Sequence, residues 1–214
     1  MSTSTILRGS AALATLALVA TGVGIGTAAA TASAVSTTEN VPAQAAPIAE
    51  AQAAPAAAAL PARASRGMSA AAVVAARQHA YTVFTTTSPQ TRDMRGVERS
   101  LYRGTFYRAS TETRRLCIVE RESEGHYDVV NPSGAYRGAY QVSAALARGA
   151  TWMMLKEHSR LMGKAAAKKV LGQLRSKPMN TWPRYWQDAA FHTVANWAGT
   201  GSGLRHWAGG RWHC

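Results

Sequence analysis

The stretch that decides the reading of this chain is Glu122–Gln141, ESEGHYDVVNPSGAYRGAYQ, which sets a carboxylate at the end of a helical segment and follows it with a glycine-punctuated turn. The residues leading into it, TETRRLCIVERES from Thr111 to Ser123, contain no Pro or Gly, offer Thr111 or Thr113 as a cap, and stop at the breaker Gly125. At about 100° per residue, Ile118, Glu122, Val119, Ser123 and Leu116 fall within one arc of roughly 160°. Glu120, Glu124, Cys117 and Arg121 occupy the rest of the wheel. Glu122 is thereby set apart from the other two glutamates, because it stands in the apolar arc. A carboxyl half-buried against apolar side chains suits a proton donor, since desolvation disfavours its charged form.

The second half, NPSGAYRGAYQ, is turn chemistry: Asn131-Pro132, Ser133-Gly134, then Gly138. Tyr136 and Tyr140 flank that last glycine, and Gln141 opens a new apolar run. Aromatic faces beside a glycine that lets backbone come close would suit a long polar polymer such as a glycan. The same pattern also describes an ordinary solvated helix end.

The segment resembles the signature of the lysozyme-like lytic transglycosylases, and also that of the actinobacterial resuscitation-promoting-factor domain. The matching residues are Glu122, Ser123, Tyr127, Asn131, Gly134, Ala135, Gly138 and Gln141, with one more residue between Glu122 and Gln141 than the usual pattern. A second block is similar to the family's AYNAGxG segment: ANWAGTG, from Ala195 to Gly201. Here Asn196 stands where the family has Tyr, and Trp197 where it has Asn. The resemblance covers roughly the last hundred residues. It implies a mainly α, lysozyme-like domain with Glu122 as the single acid and base. Substrate contacts are then expected from Ser123, Tyr127, Tyr136, Gly138, Tyr140, Gln141, Asn196, Trp197 and Trp207. The implied reaction cleaves the MurNAc-GlcNAc β-1,4 bond of peptidoglycan, with no cofactor and no metal, and a hydrolytic muramidase shares the same acid. A non-catalytic cationic wall-binding or resuscitation-type signalling protein is the competing reading, and a surface protein acting through its basic segments is a third.

The N-terminal half explains the rest of the 214 residues. Residues 1–34 read as a secretory signal, with Arg8, an apolar run from Ala11 to Ile25, and Ala32-Ser33-Ala34 as the cleavage site. An uncleaved anchor is the alternative, since the apolar run continues to Ala30. Residues 35–66 are mostly Ala with Pro42, Pro47, Pro55 and Pro61, a linker lacking the large apolar residues that offset ordering entropy. Residues 67–110 form a basic, partly helical extension: Ser69–Phe84 has helical spacing, Val97, Leu101, Tyr102 and Phe106 suggest a shorter helix, and TTTSPQT between them reads as a loop.

The formal net charge of +13 lies outside the first part of the chain: residues 1–62 hold one basic and two acidic residues, 63–110 eight and two, and 111–214 fifteen and seven. Such a surface attracts polyanions. An exported chain meets anionic wall polymers rather than nucleic acid, so a secreted or wall-associated monomer is expected. Charge that only aids solubility is the blander account. Cys117 and Cys214 are the two cysteines; in an exported protein an even count favours a disulfide, here one that clips the C-terminus to the Glu122 helix.

Within residues 111–214, VSAALARGA reads as a short helix broken at Gly149. Trp152–Arg175 reads as one or two amphipathic helices with Gly163 and Gly172 as weak points, and Tyr185–Trp197 as another helix. Lys164, Lys168 and Lys169 form a solvated or wall-binding face. Tyr127–Tyr140 can fold back as a small hairpin. Trp207 and Trp212 are placed on a cleft wall or over the disulfide, and His192, His206 and His213 in structural roles. Asp128 and Asp188 are the remaining candidates for a second carboxylate.

Overall fold

The computed structural model describes residues 67–208 and 214. The expected signal segment 1–34 and linker 35–66, and Trp212 and His213, lie outside the described residues. The described chain is mainly helical, with one two-stranded antiparallel sheet and one disulfide.

Helix α1, Ala70–Thr87, starts at Ser69, whose hydroxyl accepts from the Ala72 amide at 3.2 Å. The loop expected at TTTSPQT is shorter than its composition suggests. Thr86 and Thr87 donate to the carbonyls of Thr82 and Val83, which lets α1 absorb them. Pro89 then forces Ser88 into extended backbone, and Ser88 caps the one-turn helix α2, Pro89–Arg92. The helix expected around Val97–Phe106 does not form. Amides there are captured by buried carboxylates: Ser100 by Glu112 at 2.9 Å, Leu101 by Asp188 at 2.8 Å and Thr105 by Glu157 at 2.6 Å. Residues 67–110 therefore pack into the same body as the rest, through Tyr81 and Tyr102 as well as these bonds.

Helix α3, Ala109–Ser123, begins one to two turns ahead of the expected threonine caps and has no side-chain cap. It ends where expected: Glu124 and Gly125 both have positive φ, and their amides return to Glu120 and Val119. A Cβ on Gly125 would lie 2.9 Å from the Gly96 carbonyl carbon, so close backbone approach also requires glycine there.

Tyr127–Tyr140 folds back as expected, at an antiparallel bridge between Val130 and Arg137 with the Gly138 amide donating to the Val129 carbonyl, and the paired strands extend beyond Tyr140. Strand β1, Tyr136–Arg137, pairs with β2, Val142–Ser143, in the register Tyr136↔Ser143 and Arg137↔Val142, with a bridge from Val130 to Arg137. Helix α4, Ala144–Met162, runs straight through Gly149, contrary to the expected break, because Ala147, Ala150, Thr151 and Met154 bury one face on either side of it. Gly163, at φ 83°, does interrupt the chain, and α5, Lys164–Arg175, passes Gly172 unbroken. Lys164, Lys168 and Lys169 are exposed.

Helix α6, Arg184–Asn196, is buried at every position and forms the centre of the domain. Trp186 and Phe191 anchor it, and burying a side chain such as Phe191 or Leu171 contributes about 1.5–3 kcal/mol. A 3₁₀ turn over Ser202–Trp207 returns Trp207 to the core. Cys117 and Cys214 are bonded across a sequence separation of 97, Cα to Cα 5.6 Å. Closing a loop of that length stabilises by up to about 4.7 kcal/mol through denatured-state entropy.

Candidate functional site

Glu122 is the penultimate residue of α3, and its side chain is 27% exposed. Its nearest partner is polar: Oε1 accepts from Arg121 Nη2 at 2.6 Å and from Arg121 Nε at 3.1 Å. The half-buried setting expected from the helical wheel is met, but a guanidinium that the wheel placed on another face joins it. Arg121 reaches round because its long side chain has a second anchor, the Trp207 carbonyl at 2.7 Å from the same Nη2. One nitrogen therefore ties the carboxylate to the turn that carries Trp207.

Trp207 is one of the walls of an open groove of about 450 Å³. The groove runs between the hairpin and α4, with Tyr136, Gln141, Met153 and His206 among its walls. Tyr136 is 49% exposed and presents a free ring face. Gln141, at φ 43°, is held in the left-handed region by its own turn, since both its backbone amide and Nε2 donate to the Gly138 carbonyl. Among the described residues no Asp or Glu lines this groove, and Glu122 is linked to it through Arg121 and Trp207.

Several residues expected to touch substrate are instead structural. Tyr127 and Tyr140 are fully buried, and both hydroxyls donate to Asp188 Oδ1, at 2.8 and 2.6 Å. Burial, joined by the Asp188 charge, pushes both phenols well above their ordinary values, so they remain donors. Ser123 is buried and bonds back to the Val119 carbonyl at 2.9 Å. Gly138, at φ 78°, is buried under Gln187, and a Cβ there would overlap Gln187 Oε1. Asn196 spends its amide on the Phe106 carbonyl and the Gly201 amide, both at 2.8 Å. Trp197 is 51% exposed and packs on Phe106, ring centroids 5.2 Å apart. Glu122 is bonded by Arg121 rather than by Asn196 or Trp197. Trp207 is buried against Phe191 and Tyr140, with Nε1 donating to the Tyr140 carbonyl at 2.8 Å, yet one edge reaches the groove.

Behind the site lies a buried charge network centred on Arg115. Its guanidinium pairs with Glu112 at 3.0 Å and Asp188 at 3.5 Å, and donates to Tyr140 Oη at 2.8 Å and to the Glu98 carbonyl. Burial alone would lower the Arg115 value, but the surrounding anions and hydroxyls hold it raised. Burial also opposes ionisation of Glu112; His192, Arg115 and the Ser100 amide outweigh it and hold the carboxyl well below its usual range. His192 Nε2 lies 3.3 Å from Glu112 Oε2 without the alignment of a hydrogen bond, and burial pushes its value down. Arg115 escaped the sequence reading, although it sits three and four residues before Ile118 and Val119 and three after Glu112, on the buried side of the helix. Asp188, a candidate second carboxylate, is fully committed to this network, and Asp128 is paired with Arg95 at 3.2 Å.

Among the described residues no group of three His, Cys, Asp or Glu gathers as a metal site requires, and no helix is long and apolar enough to cross a membrane. In comparisons with known proteins, no family model, no curated protein and no solved structure matches the chain.

Proposed function

We propose that this protein is an exported cell-wall enzyme that cleaves the β-1,4 bond between MurNAc and GlcNAc in peptidoglycan, through a lysozyme-like domain in which Glu122 is both acid and base. The observation that carries the reading is the Glu122–Arg121–Trp207 linkage, which ties the carboxylate to a wall of an open groove. A glycan strand needs a groove open along its length, and Tyr136 supplies an exposed ring on which a sugar face can stack.

Among the described residues no Asp or Glu lines the groove, Asp188 is buried and Asp128 is paired with Arg95, which favours a mechanism that uses Glu122 alone over the two-carboxylate ones. One carboxyl suffices if the substrate supplies the rest. Glu122 gives its proton to the glycosidic oxygen as the C–O bond breaks, and the substrate's N-acetyl carbonyl stabilises the positive charge at the anomeric carbon. The Glu122 carboxylate then takes the proton of the sugar's own 6-hydroxyl as that oxygen closes a 1,6-anhydro ring. Attack by water instead would leave a reducing muramyl end and make the protein a muramidase. The basic surface would hold it on anionic wall polymers.

A non-catalytic wall-binding or resuscitation-type signalling role is the second reading, favoured by the fact that Arg121 occupies Glu122 and that Glu122 does not itself line the groove. Mass spectrometry of purified peptidoglycan after digestion, beside the Glu122→Gln variant, separates the two. Anhydromuramyl products from the wild type alone support the transglycosylase; no soluble product from either protein overturns the enzyme reading.

A further inference from the structure

A smaller recess of about 200 Å³ lies across the hairpin from the groove. Successive strand residues point to opposite faces, so Tyr136 lines the groove and Arg137 the recess, and Val142 is the residue that borders both. Its polar rim consists of Arg137, Arg148, Arg175 and Lys177, over an apolar floor that includes Met179. No acidic residue lines it, and none of the four cations takes part in an ion pair among the described residues. Four like charges around so small a space repel one another, an arrangement that a general solubilising surface would avoid by interspersing acids.

One of the four is held in place. Arg175 Nε donates to Thr151 Oγ1 at 2.9 Å, Thr151 is fully buried, and the guanidinium lies 3.3 Å over the Trp152 ring. Its terminal nitrogens are left to a ligand at little further entropic cost. Three carbonyls at and just beyond the end of α5 that would oppose an anion are already occupied. Gln173 O accepts from Ser176 Oγ, Leu174 O from the Lys177 amide, and Lys177 O from Trp182 Nε1. The first turn of α4 enters the recess through Ala144, adding the positive end of a helix.

We propose that this recess is a binding site for a phosphate group, an oxyanion whose several acceptor oxygens and one to two charges match four clustered cations. Free phosphate and a phosphodiester polymer present the same chemistry to it. The site does not rest on the glycosidase reading, since it shares only Val142 with the groove.

The test is a titration of the purified protein with inorganic phosphate at constant ionic strength, followed by backbone amide resonances. Saturable shifts centred on Arg137, Arg148, Ser176 and Lys177 are expected. Because Arg148 and Lys177 are exposed, the Arg148→Gln/Lys177→Gln variant should fold normally and lose affinity by about tenfold or more. Lys168→Gln/Lys169→Gln, which removes equal charge from the outer face of α5, should change it by less than about twofold. Equal losses in the two variants, or shifts that never saturate, would mean diffuse charge and overturn the site. A glycerol phosphate oligomer titrated in parallel separates the sources. Tighter binding than phosphate, lost in the first variant only, identifies a polymer site; affinity no better than phosphate identifies a small-anion site. Peptidoglycan release measured on the same variants reports on Glu122 separately.

Discussion

Glu122 accepts two hydrogen bonds from the guanidinium of its own chain neighbour, Arg121, whose Nη2 also binds the Trp207 carbonyl. Residues adjacent in a helix point about 100° apart, so the pairing requires Arg121 to bend towards the C-terminal turn, where it binds the Trp207 carbonyl. If Glu122 is the acid proposed above, Arg121 is its positioning residue. Arg121→Ala should lower turnover of peptidoglycan by about 10- to 100-fold, the equivalent of one lost charge-assisted bond, with KM little changed. Arg121→Lys should recover part of that loss. An unchanged turnover number in Arg121→Ala would remove Arg121 from the site.

Asp188 accepts from the Leu101 amide and from the Tyr127 and Tyr140 hydroxyls, and faces Arg115 at 3.5 Å. Replacing it by Asn leaves the buried guanidinium with less compensating charge. The expected cost is about 3–5 kcal/mol, read as a shift in the denaturant midpoint. A loss of activity at unchanged stability would instead make Asp188 catalytic.

Acid should destabilise the fold in two steps. His158 and His192 are both held below the ordinary imidazole value of 6.5, chiefly by burial. The unfolded chain therefore binds more protons than the native one as pH falls below about 6.5, and stability declines there. Glu112 is held below its ordinary 4.5, so its contribution is present above that value and is lost as pH falls further. Thermal midpoints between pH 4 and 8 should fall on acidification, and His192→Gln should flatten the upper step. A pH-independent midpoint between 5 and 7.5 would refute this.

Gly149 lies inside α4 on the groove side, and an added Cβ would meet nothing within 4 Å; the same holds for Gly172 in α5. Alanine at either position should stabilise the protein by about 0.5–1 kcal/mol, since both glycines occupy helical backbone. Gly149→Leu projects into the groove and should impair glycan release, whereas Gly172→Leu should not. Equal effects on release would show that the groove is not where the strand lies.

The end of α3 was legible because Glu124-Gly125 is a local stop, satisfied by backbone bonds within one turn. The helix of α6 was legible for the same reason, a pattern carried within about fifteen residues, whereas of the two weak points Gly163 and Gly172 only the first interrupts the chain. Gly149 misled because a lone glycine weakens a helix by about 1 kcal/mol, which one buried face readily outweighs. The Val97–Phe106 segment misled because its helical spacing was real while its amides were claimed by Glu112, Asp188 and Glu157, residues as far as 87 positions away.

Periodicity, count and local turn chemistry suffice for the helical class, the cysteine pairing and the separation of Glu122 from its neighbouring glutamates. Which aromatics are walls and which are core depends on contacts made across the fold. Tyr136, Tyr140 and Trp207 look alike in the chain, but Asp188 draws the Tyr140 hydroxyl inward while β1 turns Tyr136 to solvent. The tertiary structure also decided what holds Glu122, because the bond from Arg121 to the Trp207 carbonyl spans 86 residues, and no local pattern encodes a contact that folding alone brings together.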